Sequence, residues 1–209
     1  MIPVKVLATR SIANVSQTLA AAWGLPTGYA SVAMLTTDCD DATYIALDAA
    51  TKAAEVEVVY GRSFYAGAAN ASTPYAGEVI GILAARTPGA AKSGLEAALG
   101  ALEQVGFEEV RGVPYLAQTV ASVGSFLAKE AGVAPGSSVA YLIAPPLESM
   151  FALDQALKAA DVTLCKLYAP PSETNFGGGL LTGSQSACQA ACEAFATAVA
   201  AVAAGPVER

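Results

Sequence analysis

The stretch TTDCDDATY, residues 36–44, sets Asp38, Asp40 and Asp41 around the thiol of Cys39. Carboxylates this close suit two kinds of chemistry, the holding of a small cation and general-base work. The same residues also suit the first turn of a helix, where Asp accepts from free backbone N–H groups and complements the dipole. Both readings stand on the sequence. Other catalytic chemistry is poorly served. The chain has no His, so the usual proton shuttle is missing and a Cys nucleophile would need another base. Cys188 and Cys192 stand four apart. Without His, and at a wider spacing than zinc sites use, they read as two small buried residues on one helix face. No metal, cofactor or enzymatic activity is expected. The glycines of NFGGGLLTGS, 175–184, lack the Lys-Ser or Lys-Thr of a phosphate loop and read as positions of tight turning and close backbone packing.

The elements that position these residues come from a repeat. ALDAATKAAEVEVV (46–59) returns as ALDQALKAADVTLC (152–165), with eight of 14 positions identical, among them Asp48/Asp154 and Lys52/Lys158. SVAML (31–35) answers SVAYL (138–142), and NVSQTLAAAWGL (14–25) answers SVGSFLAKEAGV (122–133). VIGILAARTPGAAKSGLEAA (79–98) answers GLLTGSQSACQAACEAF (179–195). At an offset of 107, Asp41 answers Glu148. An acid at one place in both copies would recur about the axis of a symmetric assembly as a negative ring. The chain divides into copies 1–107 and 108–209. Each copy predicts a leading helix, a strand, a helix opening near Asp40-Asp41 or Pro145-Pro146, a second strand, a Gly- and Pro-rich loop, a third strand and a closing helix. That is an α/β (α+β) plan. The loops 61–77 and 169–179 are long enough to be functional, and a plain surface connection is equally open.

Bulk composition narrows the class. Hydrophobic residues make up 54 % and charged residues 14 % of the chain, with a net charge of −7. Depleted charge fits a compact Ala-rich core, and it also fits a chain that buries surface against copies of itself. The acidic balance argues against a nucleic-acid partner. No uninterrupted apolar run reaches the ~18 residues of a membrane span, and MIPVKVLATR lacks the apolar core of a signal peptide, so a cytoplasmic protein with reduced thiols is expected.

With these residues in view, SVAMLTTDCDDATYIALDAATKAAEVEVV resembles the strand–helix–strand of the bacterial microcompartment (BMC) shell domain, and GSQSACQAA resembles its strand-to-helix turn. The leading helix resembles the circularly permuted form. The tandem of two copies, with EVVYGRSFYAGAA and APPSETNFGGGLLTGSQSAC, is similar to the EutL-type shell proteins of ethanolamine-utilisation compartments over nearly the whole chain. The resemblance implies two tandem, permuted, ferredoxin-like BMC domains, and three chains forming a pseudohexameric homotrimer that tiles with neighbouring shell trimers and hexamers. It implies a central pore gated by loop residues Ser63, Phe64, Tyr65, Glu173, Thr174, Asn175 and Phe176. It implies subunit channels binding ethanolamine, a small cation, at Asp40, Asp41, Tyr65, Glu78, Phe107 and Glu148. Lys52 and Lys158 match the lysine found at tile edges, and each also reads as part of a solvated helix face. Docking of a larger ligand such as a cobalamin is left open. A second reading of the same chain is a soluble trimeric regulator that binds a small molecule and does not tile.

Overall fold

A computed structural model describes residues 1–64, 78–170 and 176–207. The chain forms two compact units. The N-terminal unit comprises Pro3–Val105 together with Gly124–Leu127, and the C-terminal unit comprises Met1–Ile2, Gly106–Val123 and Ala128–Arg209. Two short segments depart from chain order: Met1–Ile2 belongs to the C-terminal unit and Gly124–Leu127 to the N-terminal one.

In the N-terminal unit the elements are β1 (Val6–Ile12), α1 (Gln17–Ala22), β2 (Ser31–Thr37), α2 (Asp40–Ala53), β3 (Val56–Phe64), β4 (Glu78–Ala85) and α3 (Pro88–Leu102). In the C-terminal half they are β5 (Glu108–Val110), β6 (Val113–Val120), α4 (Ser125–Ala131), β7 (Ser138–Ala144), α5 (Pro146–Ala159), β8 (Val162–Tyr168), β9 (Gly177–Gly183) and α6 (Gln185–Ala204). The sheets run β1-β2-β4-β3 and β5-β6-β7-β9-β8, with every neighbouring pair antiparallel. Strands β2 and β3 are therefore parallel to one another with β4 between them, joined by α2 as a split β–α–β. Strands β7, β9 and β8 repeat the arrangement with α5.

Among the described residues the expected order of helices and strands holds except at the start of each copy, where β1 precedes the first leading helix and β5 and β6 precede the second. The short segment VLATRSI pairs along β2 from Val6↔Thr37 to Ile12↔Val32 and alternates in exposure, as an edge strand does. Strand β6 owes its start to a hairpin. Arg111 and Gly112 both have positive φ, at 52° and 81°, between the paired Val110 and Val113. That is the two-residue turn whose twist matches antiparallel strands.

Helix starts follow local chemistry. Thr87 Oγ1 accepts from Ala90 N–H at the head of α3, with Pro88 in its first turn, and Ser184 Oγ accepts from Ala187 N–H at the head of α6. In α2 the acids Asp40 and Asp41 occupy the first turn and Lys52 the last, each complementing the dipole. The 20-residue α6 is long and apolar enough by length and composition to cross a membrane. In this fold it lies on the sheet instead, burying Cys188, Ala191, Cys192, Phe195, Ala198 and Val199 against β6, β7 and α5. The two cysteines thus sit on one buried face, as their spacing suggested, and Cys192 Sγ accepts from Thr119 Oγ1 at 3.4 Å. The glycines of β9 serve close packing. A Cβ on Gly179 would stand 2.6 Å from the Lys166 carbonyl, and one on Gly178, whose φ is +150°, would run into the Leu142 carbonyl oxygen.

Candidate functional site

Strand register gathers the candidate residues of each unit at one end of its sheet. In the N-terminal unit Thr37 pairs with Val79 and Ser63 with Val79, while Phe64 pairs with Glu78. The residues after β2, the first residue of β4 and the last of β3 therefore share an end, the one from which connection 65–77 leaves. Asp38, Asp40, Asp41 and Glu78 are all buried there. Three carboxylates within four residues and a fourth at the adjoining start of β4 are thus buried together, where carboxylates are seldom found.

Part of this carboxylate set belongs to the backbone. Asp38 extends the β1–β2 ladder: its Oδ1 accepts from Lys5 N–H at 2.8 Å and its N–H donates to the Lys5 carbonyl at 3.1 Å. Asp40 Oδ1 accepts from Asp41 N–H at 2.9 Å. Thr37 and Thr43 hydroxyls lie 2.7 Å apart and lock the turn, with Thr43 Oγ1 donating to the Cys39 carbonyl. The Cys39 thiol is pushed well above its ordinary range, first by burial, then by the charge of Asp41, with smaller contributions from Asp40 and Asp38. The helix-start and cation-holding readings of these acids are thus compatible.

Of the expected pore-loop residues, Ser63 is anchored, its N–H donating to the Tyr44 hydroxyl at 2.9 Å, and Phe64 ends β3. Tyr65, Glu173, Thr174 and Asn175 lie outside the described residues. In the C-terminal unit Ala144 pairs with Gly177, so Glu148, in the first turn of α5, and Phe176, just before β9, share the matching sheet end. Phe107 joins them, buried, with its ring 5.7 Å from that of Phe176. Helices α2 and α5 begin at Asp40 and Pro146, 106 residues apart, whereas β2 and β7 begin 107 apart. In helix register Glu148 therefore stands one residue further along than Asp41, and it is half-buried where Asp41 is buried. Both remain in the first turn.

Lys52 and Lys158 each close an i,i+4 pair, Lys52 with Asp48 at 3.4 Å and Lys158 with Asp154 at 2.6 Å. The two aspartates, identical in the repeat, differ entirely in surroundings. Asp154 is exposed. Asp48 is fully buried, its Oδ2 accepting from Gly124 N–H at 2.7 Å and its Oδ1 from Leu127 N–H at 2.9 Å. The partner amides lie 76 and 79 residues away, and no local pattern reveals them.

Comparison with known proteins decides the family. A BMC domain model matches residues 31–113. The bacterial microcompartment shell protein EutL of Clostridium perfringens is 56 % identical over 206 residues, covering 97 % of this chain and 95 % of that protein. The chain belongs to the EutL family of bacterial microcompartment shell proteins. Its EutL relative from Salmonella typhimurium is 46 % identical over 98 % of this chain and 95 % of its own length. The crystal structure of the ethanolamine utilization protein EutL from Leptotrichia buccalis superposes with a TM-score of 0.93 at 56 % identity, covering all of this chain and 98 % of that one. The fold extends to the trimeric shell protein PduB, with a TM-score of 0.81 at 18 % identity, covering 96 % of this chain and 89 % of that one. The BMC match begins only after β1 and α1 and runs to the first residue of β6, as expected of a permuted EutL domain whose leading elements have been moved to the front. EutL-family proteins build a shell rather than catalyse a reaction, and the place of this chain is a microcompartment shell.

Proposed function

We propose that three copies of this chain form a pseudohexameric trimer that tiles in the shell of an ethanolamine-utilisation compartment. Its loops gate a central pore, and acidic channels within each subunit bind ethanolamine. The observation that carries this reading is the burial of Asp38, Asp40, Asp41 and Glu78 at the sheet end where connection 65–77 begins. A buried acidic set favours a small protonated amine through charge and charge-assisted hydrogen bonds. Glu148, Phe107 and Phe176 supply an acid and two aromatic faces at the matching end of the C-terminal unit, and aromatic faces attract ammonium groups. An amine bound more tightly with the loops closed would shift the pore population by that difference in affinity. Lys52 and Lys158 are assigned to tile edges, their carboxylate partners steering each ammonium along its helix.

Calorimetric titration with ethanolamine tests the channels. Removing one charged hydrogen-bonding partner costs about 1.5–3 kcal/mol, so Asp41→Asn and Glu148→Gln are each expected to weaken binding at least tenfold. Unchanged affinity in both variants would remove the channel assignment. Negative-stain microscopy tests the shell role: flat sheets or tubes are expected, and discrete trimers that never associate would point to a soluble sensor instead.

A further inference from the structure

The two copies of the repeat end one strand differently. Strand β8 stops at the pair Tyr168↔Gly178. At the repeat offset of 106, Tyr168 answers Arg62. Yet β3 pairs on for two more residues, through Ser63↔Val79 and Phe64↔Glu78. Those two residues are the root of connection 65–77, and they carry β3 to the buried Glu78. Strand β3 is the edge of its sheet, so some of its N–H groups point away from β4 and need another acceptor. The Ser63 N–H has one in the Tyr44 hydroxyl, at 2.9 Å. The extra pairing and this hydrogen bond coincide.

The Tyr44 ring is placed for this contact. A Cβ on Gly61 would stand 3.6 Å from Tyr44 Cε1 and 3.4 Å from Phe126 Cζ, so the small residue leaves both rings room beside β3. Phe126 lies with its ring 6.0 Å from that of Tyr44. Its neighbours Gly124 and Leu127 are held in turn by Asp48. The other copy lacks these groups. Met150 answers Tyr44, Leu167 answers Gly61 and Ala169 answers Ser63. Met150 has no hydroxyl, and a thioether is only a weak acceptor. There the chain is held by close packing instead: a Cβ on Gly177 would stand 2.6 Å from Pro170 Cγ and 2.9 Å from Ser149 Oγ. One root is held by a hydrogen bond that can open, the other by packing.

Tyr44 also stands next to the acids. Asp40 and Asp41 precede it on α2 by four and three residues, so the three share a helix face. We propose that Tyr44 is a positioning residue whose hydroxyl fixes the root of connection 65–77 and links that root to an amine held at Asp40 and Asp41. An amine that orders the first turn of α2 orders Tyr44 and strengthens its hold on Ser63. The link rests on the amine-binding reading above; the anchoring of Ser63 does not. Hydrogen exchange of the full chain, followed by mass spectrometry with and without ethanolamine, tests both. Tyr44→Phe keeps the ring against Phe126 and removes only the oxygen. Losing one neutral hydrogen bond is expected to speed exchange at Ser63 about fivefold, with the amides of β2 unchanged. Ethanolamine should slow exchange at Ser63 in the parent and lose most of that effect in Tyr44→Phe. Unchanged exchange at Ser63 in the variant overturns the anchor, and so does a rise shared equally by β2, which reports general loosening. Ethanolamine that binds by calorimetry but slows Ser63 equally in both proteins overturns the link. A parent that binds no ethanolamine overturns the amine reading, and faster exchange confined to Ser63 in Tyr44→Phe then sustains the anchor alone.

Discussion

Replacing Asp48 separates structure from binding, because its carboxylate is committed inside the N-terminal unit. Asp48→Ala removes the acceptors of two backbone amides, Gly124 at 2.7 Å and Leu127 at 2.9 Å, and the partner of Lys52 at 3.4 Å. Hydrogen bonds to a charged group contribute about 1.5–3 kcal/mol each. The ion pair, half open to water at Lys52, adds less than about 1 kcal/mol. The expected loss is about 3–6 kcal/mol. For a chain of this size each kcal/mol lowers Tm by about 2–4 °C, so melting should fall by about 6–24 °C at matched protein concentration. Asp48→Asn keeps the shape and one acceptor but turns an NH2 donor toward a backbone N–H, so about half of that loss is expected. Lys52→Ala should cost about 1 kcal/mol or less. Thermal unfolding followed by circular dichroism reads the ranking, and amide exchange should show Gly124 and Leu127 losing protection first. If Asp48→Ala melts within about 2 °C of the parent, the buried carboxylate does not stabilise the fold in the way described.

Gly178→Ala should be poorly tolerated, since its Cβ would meet the Leu142 carbonyl across the β7–β9 ladder at φ +150°. A loss of about 3 kcal/mol or more would show as reduced soluble yield and a lower urea midpoint, and a parent-like midpoint would refute the close approach. The buried thiols of Cys39, Cys188 and Cys192 should be unreactive in the native state. Burial pushes Cys192 up to about 11 and raises Cys39, Cys165 and Cys188 as well. At pH 8 iodoacetamide should label Cys192 and Cys39 only after unfolding, and rapid native labelling at Cys192 would contradict its burial. Because the Cys192 thiol keeps its proton longer when folded, its contribution to stability is complete below the ordinary value of 9.0 and is lost as pH rises toward about 11. The urea midpoint should therefore decline across that window.

Much of the architecture was legible because two copies of one pattern confirm each other. The in-register Asp48/Asp154 and Lys52/Lys158 pairs fixed α2 and α5, and β-branched runs such as VEVVY fixed the strands that follow. What escaped were elements whose reason is non-local. Strand β1 is an edge partner of β2, and VLATRSI carries too little apolar alternation to declare it. The start of β6 depends on positive φ at Arg111 and Gly112, which composition only hints at. Among the candidate site residues, the acids at the head of α2 and α5 were legible as first-turn residues. Their gathering with Glu78, or of Phe107 with Phe176, depends on strand register. The roles of Asp48 and Asp154 could not be told apart, because what distinguishes them is a segment 76 or more residues away.

The Asp48 network also has a consequence in time. Its acceptors belong to the first half of the chain and its donors to residues 124 and 127. On the ribosome, Pro3–Val105 is therefore made before the amides that satisfy Asp48 exist. At about 5–20 residues per second, the wait from Val105 to Leu127 is roughly one to four seconds. During it a carboxylate destined for the interior stays hydrated and holds the α2 face open. The Asp48 network thus ties completion of the first half to synthesis of the second.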